Sequence, residues 1–321
     1  MRILCLQLKR IGDAILTAPA LAALRAAHPR AGITLVLHGP SGGLADAFAA
    51  ADEVLTYSPG RANLGVWTRV ITGSWDACYD FTGTDRSAVL ARMSRAARVF
   101  GYRKFAEKRV WRAHGYTDLS EASVRDLHTV DFHLALTGLP ASPDTGFALP
   151  EGSHPLPEDW PRSTYIIAHP GTARAEKYWP AEKWAEVIAA LPLPIVLTGS
   201  GDAEEQAHLA AILKTIRKPQ SEIHNFSGRL TLPQLARAIV GARLVLSVDS
   251  AAMHLAAMAR RPQAALFGPT NPFHWQPRHP LARVLLASGE SAGTVGPRHM
   301  AAPMSALSTG RVREAIDSLL A

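Results

Sequence analysis

"LVLSVDSAAMHLAAMA", Leu244 to Ala259, changes character at its midpoint. Leu244, Val245, Leu246 and Val248 are β-formers, and the run stops at Asp249-Ser250. Small helix-formers take over at once. This reads as a buried strand, a tight turn and a helix whose first turn is lined by Asp249, Ser250, Ala251 and Ala252. A helix entered in this way offers free N–H groups and the positive end of its dipole, which together suit an anion.

The same alternation extends outward on both sides. "TYIIAHPG" (164–171), "PIVLTGSG" (194–201) and "QAALFG" (263–268) read as strands. "AEKWAEVIAAL" (181–191), "AEEQAHLAAILKTI" (203–216) and "LPQLARAIVGA" (232–242) read as the helices among them. In the closing "TGRVREAIDSLLA", Val312, Ile316 and Leu319 share a helical face and Thr309 is the expected cap. Further upstream, "RILCLQL" (2–8), "ITLVLHG" (33–39) and "DACYDF" (76–81) are strands. "LADAFAAADEVLTY" (44–57) reads as a helix and a short strand, and "SAVLARMSRAARV" (87–99) as a helix. Between the halves, "GLPASPDTGFALPEGSHPLPEDWPR" carries Pro140, Pro143, Pro150, Pro155, Pro157 and Pro161 and reads as an extended linker. The expectation is two α/β domains, 1–154 and 155–321, each with a parallel sheet covered by helices on both faces. Ligands in such sheets bind beyond the carboxyl ends of the strands, so function is sought in the strand-to-helix turns.

Composition narrows the class. A chain of 321 residues with 47% hydrophobic and 19% charged residues is ordinary globular protein. Its two cysteines, Cys5 and Cys78, lie in separate apolar runs and read as buried thiols in a reducing compartment. No window approaches a membrane span and no signal peptide is visible, so a cytoplasmic location is expected. The net charge is +7. Much of the excess falls in one window that includes Arg86, Arg92, Arg95 and Arg98. Without a helix-turn-helix, an RNA-binding aromatic motif or zinc-finger spacing, nucleic acid is not indicated. A phosphorylated substrate or an anionic membrane surface fits the charge, and a solvated helix face is the plain alternative.

Three turns carry chemistry. In "LKRIGDAI" (8–15), Asp13 is either a helix cap or an acid–base carboxylate. Pro19 argues that the regular helix begins only near Thr17, leaving Asp13 on irregular backbone. In "HPGTARAEKYWP" (169–180), Gly171, Thr172 and Lys177 offer the donors and the charge that a phosphate needs. "LTGSGDAEE" (197–205) lacks the third glycine of a dinucleotide fingerprint, but Glu204 or Glu205 could accept from sugar hydroxyls. Ser250 is not in a nucleophile elbow, so Asp249, Ser250 and His254 do not read as a hydrolase triad. No spacing suits a catalytic metal, and no cofactor is indicated.

"IGDAILTAPALAALR", "HPGTARAEKYWP", "GRLTLPQLARAI", "VDSAAMHLAA" and "ALFGPTNP", in this order, resemble glycosyltransferase family 9, the ADP-heptose:lipopolysaccharide heptosyltransferases. "YDFTGTDRSAVLARMSRAARVFGY" (79–102) fits the same family. The resemblance implies a GT-B fold, two Rossmann-like domains facing each other across a cleft, with the lipid-linked acceptor on the first and the nucleotide sugar on the second. It implies inverting transfer without a metal. It makes Asp13 the catalytic base, and Thr172 and Lys177 phosphate contacts. It places Asp249, Ser250 and His254 in the donor turn and Glu205 at the ribose. The family usually has glycine where this chain has Ala251, whose methyl group narrows the closest backbone approach to phosphate. The resemblance also implies a phosphorylated, lipid-linked glycan acceptor and work at the inner leaflet of the membrane. Transfer of another sugar to another acceptor, or a non-catalytic sugar-nucleotide-binding protein, are the competing readings.

Overall fold

The computed structural model describes residues 1–299 and 301–321. The chain divides into two compact units, Met1–Pro150 and Glu151–Ala321.

The first unit contains β1 (Arg2–Gln7), α1 (Ile11–Ala27), β2 (Gly32–His38), β3 (Glu53–Tyr57), α2 (Leu64–Thr72) and β4 (Ala77–Asp80). It continues with α3 (Asp85–Met93), β5 (Arg98–Tyr102), α4 (Arg103–Ala106), α5 (Val110–Ala113), β6 (Asp118–Ser120) and α6 (Thr129–Thr137). Its six strands form one parallel sheet in the order β3-β2-β1-β4-β5-β6. Helices cover both faces of a parallel sheet, so its inner strands are buried on both sides and read as nearly unbroken apolar runs. β1 follows that rule, with every residue after Arg2 buried.

The second unit contains β7 (Ile166–His169), α7 (Ala181–Ala189), β8 (Ile195–Leu197), α8 (Ala203–Thr215), β9 (Ile223–Asn225) and α9 (Leu232–Gly241). Then come β10 (Leu244–Val248), α10 (Ala251–Met258), β11 (Gln263–Phe267), β12 (Ala282–Leu286) and α11 (Thr309–Leu320). The order β12-β11-β10-β7-β8-β9 is again wholly parallel. In each unit the strand order reverses beside the unit's first strand, between β1 and β4 and between β7 and β10. Such a reversal parts the two neighbouring strand-to-helix turns and opens a crevice at the carboxyl ends of the strands.

Three local expectations are corrected. α1 starts at Ile11 and runs through Pro19, so Asp13 lies in the first helical turn rather than on irregular backbone. Its N-cap is Arg10, not Asp13. Gly39–Ala47 forms a 3₁₀ helix where a longer regular helix was expected. Pro40, Gly42 and Gly43 explain this, since proline and glycine both disfavour an α-helical interior. The cap of α11 is Ser308, whose side chain accepts from the Arg311 N–H, and Thr309 is already inside the helix. α11 packs on α7, β10, β11 and β12 of its own unit.

Candidate functional site

In the second unit, the turns after β7 and β10 lie side by side at the strand-order reversal. A large apolar anchor holds the β7 turn. Trp179 is fully buried, meets the Trp184 ring edge-on at 5.5 Å, and donates its indole N–H to Leu307 O at 3.1 Å. This fixes the single 3₁₀ turn Ala175–Lys177 and brings Lys177 back toward β10. Lys177 Nζ donates to Asp249 Oδ2 at 2.7 Å and to Asp249 O at 3.3 Å. Thr172 Oγ1 lies 3.5 Å from the same carbonyl. Ser250 caps α10 in extended conformation without a side-chain bond to the helix. Its Oγ is buried and has no hydrogen-bond partner among the described residues. Ala251 opens the helix, and its N–H belongs to the unbonded first turn.

His254 is buried within electrostatic reach of Asp249 and Lys177. Burial holds its pKa down to about 4 against the pull of Asp249, so the ring is neutral at pH 7. The structure therefore gathers Thr172, Lys177, Asp249, Ser250, Ala251 and His254 into one cluster: a cation, a hydroxyl lacking a partner and a helix N-terminus around two adjoining turns.

Glu205 and Gly171 form the wall behind it. Glu205 is only 5% exposed, with Oε1 accepting from Ser200 N at 2.6 Å and Oε2 from Ser200 Oγ at 2.7 Å. A methyl group on Gly171 would sit 1.7 Å from Glu205 Oε1. Only glycine allows the carboxylate to pack against the β7 turn, so Glu205 joins that turn to the one after β8. Both carboxylate oxygens are thus engaged by Ser200, and a further hydroxyl donor would share one of them, which a carboxylate permits.

In the first unit, Asp80 organises the matching turns. This carboxylate at the end of β4 is fully buried. It accepts from Thr82 N, Gly83 N, Ser87 Oγ and Tyr116 OH at 2.6–3.0 Å. Burial raises its pKa, and those four donors oppose the rise. Thr82 Oγ1 in turn accepts from Leu8 N at 2.8 Å, joining the turns after β4 and β1. Gly83 has φ +66°, and a side chain there would run into Phe105. Asp13 stands just beyond the β1 turn. Burial pushes its carboxyl pKa up, with Lys9 and Arg10 pulling it back.

The four arginines expected at an acceptor site are not brought together. Arg86, in the first turn of α3, is at the carboxyl end of the sheet, with its guanidinium over the Tyr57 ring at 5.4 Å. α3 then runs back across the sheet. Arg92 in its last turn, Arg95 just beyond it, and Arg98 at the start of β5 all lie at the amino end. Arg98 is paired with Asp118 at 2.5 Å. The cations that share the carboxyl end with Arg86 include Lys9, Arg10, Lys104 and Lys108, beside Arg103, which pairs with Glu107 and Glu121, and Arg109 and Arg112, which pair with Asp85. Lys9 and Lys108 both lie over the Phe105 ring at 5.4 and 5.2 Å. Charge counting along the window could not separate these two sets, because the α3 crossover divides them.

No group of three or more His, Cys, Asp or Glu side chains among the described residues could hold a metal ion. Likewise, no described helix is long and apolar enough to cross a membrane.

A sequence model of glycosyltransferase family 9 (heptosyltransferase) matches residues 64–299. The curated lipopolysaccharide heptosyltransferase 3 of Escherichia coli is 32% identical over 116 residues, covering 35% of this chain and 34% of that protein. The chain thus matches about a third of that relative's length. Lipopolysaccharide heptosyltransferase 1 of Pseudomonas aeruginosa is 24% identical over 296 residues, 85% of this chain and 80% of the relative. Among solved structures, E. coli ADP-heptose lps heptosyltransferase II superposes with TM-score 0.79 at 22% identity, covering 100% of this chain and 98% of that one. An E. coli heptosyltransferase solved with ADP gives 0.77 at 21% identity, covering 99% and 100%. The fold is that of the GT-B heptosyltransferases.

Proposed function

Since the chain belongs to glycosyltransferase family 9, we propose that it is an inverting glycosyltransferase moving a heptose from ADP-heptose to the inner core of lipopolysaccharide, with no metal ion. The observation that carries this reading is the pairing of Lys177 with Asp249 beside the Ser250 hydroxyl, which has no partner among the described residues, at the start of α10. A nucleotide sugar leaves behind a diphosphate that gains negative charge as the glycosidic bond breaks. A fixed lysine and the N–H groups of a helix terminus stabilise that developing charge. The neutral His254 adds a polar contact without competing for charge.

Asp13 supplies the other half of the chemistry. As the acceptor hydroxyl attacks the anomeric carbon, its proton passes to the carboxylate, and the bond to the diphosphate breaks on the opposite face. A single displacement of this kind inverts the anomeric centre. A carboxyl whose pKa is raised by burial is a stronger base than an exposed aspartate, which favours the transfer. Arg86, Lys104 and Lys108 supply positive charge for a phosphorylated, lipid-linked glycan and for the anionic inner leaflet that carries it. An enzyme acting on that acceptor would work in the cytoplasm, peripheral to the inner membrane. The family and the curated relatives' names support heptose and lipopolysaccharide.

A panel of nucleotide sugars with a deacylated, Kdo-containing lipid A acceptor tests the reading. Turnover with ADP-heptose is expected. Turnover with a different donor alone would reassign the sugar. Donor binding without turnover of any pair would make this a non-catalytic binding protein.

A further inference from the structure

α1 holds a contradiction that its surroundings resolve. Pro19 lies inside the helix, where it has no N–H to give to the carbonyl four residues earlier and its ring presses on that carbonyl. The turns before it, which carry Asp13, are therefore weakly joined to the rest of the helix. Yet they are helical from Ile11 onward. Thr17 sits at the join, fully buried. Its hydroxyl donates to Asp13 O at 2.8 Å, and the same oxygen accepts from Gln7 Nε2 at 2.8 Å. His133 Nδ1 of α6 lies 3.1 Å from it and 3.3 Å from Leu16 O.

The hydrogen assignment follows from counting. The threonine hydroxyl has one proton, and Asp13 O takes it. Leu16 O can only accept. His133 must therefore carry its proton on Nδ1 and share it between Thr17 Oγ1 and Leu16 O. Gln7 and His133 are likewise fully buried. The His133 ring packs edge-on against Phe81 at 5.6 Å, which fixes its orientation. Gln7 is the last residue of β1, and its Oε1 accepts from Lys9 N at 3.3 Å, so the turn after β1 belongs to the same network.

We propose that Thr17 is a positioning residue for Asp13, held between Gln7 of the sheet and His133 of α6. The proposal rests on the reading of Asp13 as the base. None of the three touches substrate in this account. Together they fix the first turns of α1 against the strand end, so that the Asp13 carboxylate meets the acceptor hydroxyl in one geometry. Catalysis is sensitive to such placement, and a displacement of about 1 Å can cost about 10²-fold in rate.

The test compares Thr17→Val, which keeps the shape and removes the hydroxyl, with Thr17→Ser, which keeps the hydroxyl. Thr17→Val is expected to lower kcat by about ten-fold or more with donor KM unchanged, because the donor turns are in the other unit. Thr17→Ser is expected to recover kcat to within about three-fold. Amide exchange over residues 11–16 should quicken in Thr17→Val and not in Thr17→Ser. If Thr17→Val does not fold, His133→Leu, which removes the imidazole contacts to Thr17 Oγ1 and Leu16 O, carries the same test with a smaller loss. A folded Thr17→Val with kcat within three-fold of wild type overturns the proposal. So does a Thr17→Ser variant as slow as Thr17→Val. Asp13→Asn is run alongside: if it leaves kcat intact, the reading of the base fails, while the exchange data still decide whether Thr17 anchors the helix.

Discussion

Lys177 Nζ and Asp249 Oδ2 lie 2.7 Å apart, with the lysine side chain 13% exposed and the aspartate 9%. Two turns from different strands are thus joined by a largely buried ion pair at the place where a diphosphate is expected. A buried pair broken on one side leaves an uncompensated charge. Lys177→Ala should therefore act twice on donor binding: it removes a charge-assisted contact of about 1.5–3 kcal/mol, and it leaves the Asp249 carboxylate free to repel phosphate. ADP affinity measured by calorimetry should fall by at least about ten-fold. Unchanged ADP binding in a folded variant would show that the phosphates bind elsewhere.

His254 gives a dependence of stability on pH. Its pKa is about 4 when folded and 6.5 in the unfolded chain. The unfolded chain therefore takes up the proton first as pH falls. The stability this residue contributes is complete above pH 6.5 and is lost as pH falls from there toward 4. The groups facing the ring are Asp249, which opposes the shift, and Lys177, which adds to it. Urea unfolding followed by tryptophan fluorescence can read this, since Trp179 and Trp184 are buried in the second unit. The difference in stability between wild type and His254→Gln should rise with pH over that window, by at most about 1.4 kcal/mol per unit. A flat difference would mean that the folded imidazole titrates as it does in the unfolded chain, so that burial does not hold its pKa down.

The turn after β10 is legible in sequence because its signals are local. An apolar run ends at Asp249, small residues follow, and the matching turn announces itself through Gly171, Thr172 and Lys177. What each turn does to the other is not local, since Lys177 and Asp249 are 72 residues apart and only the sheet order makes them neighbours. The start of α1 departs from the local expectation for the same reason. Pro19 is a strong local signal for a break, and the bond that answers it comes from His133, 116 residues from Thr17. The basic window shows the limit of counting charge along a chain. α3 spans the sheet, so Arg86 and Arg95 are near neighbours in sequence and stand at opposite ends of the strands.

That separation predicts which cations serve an acceptor. If the acceptor binds at the carboxyl end of the first sheet, Arg86→Ala should raise acceptor KM several-fold. Arg92→Ala and Arg95→Ala should leave it unchanged in a soluble assay. Exposed contacts are screened over about 8 Å at physiological salt, so wild-type acceptor KM should also rise with salt while donor KM changes little. Equal effects of all three substitutions would return the basic window to the role of a diffuse charged face.

The reaction should run without divalent metal. The described residues hold no cluster of candidate ligands, and on the proposed function Lys177 with the α10 terminus stabilises the leaving diphosphate. Activity should therefore persist in EDTA at close to its untreated value. Loss of activity in EDTA, restored by magnesium or manganese, would show that the diphosphate leaves as a metal complex and that Lys177 is secondary.

Asp13 decides between chemistry and structure. Its position in the first turn of α1 gives it a favourable interaction with the helix dipole, worth about 0.3–1 kcal/mol at an exposed site. If that were its whole role, replacing it would cost a little stability and leave turnover almost intact. As the base, it accepts the proton of a hydroxyl that is a poor nucleophile at neutral pH, and its loss lowers the rate by about 10²–10⁴-fold. Asn keeps the size and loses both the charge and the ability to take the proton. Asp13→Asn should therefore fold, bind ADP almost normally through the second unit, and show kcat reduced by at least about a hundred-fold. The protonation of this carboxyl should also appear as the acid limb of the wild-type kcat profile, above the usual aspartate range because burial raises its pKa, with Lys9 and Arg10 opposing. A variant that keeps more than about a tenth of wild-type kcat, against the loss of at least about 10² expected for a base, would make Asp13 a structural residue and place the base elsewhere.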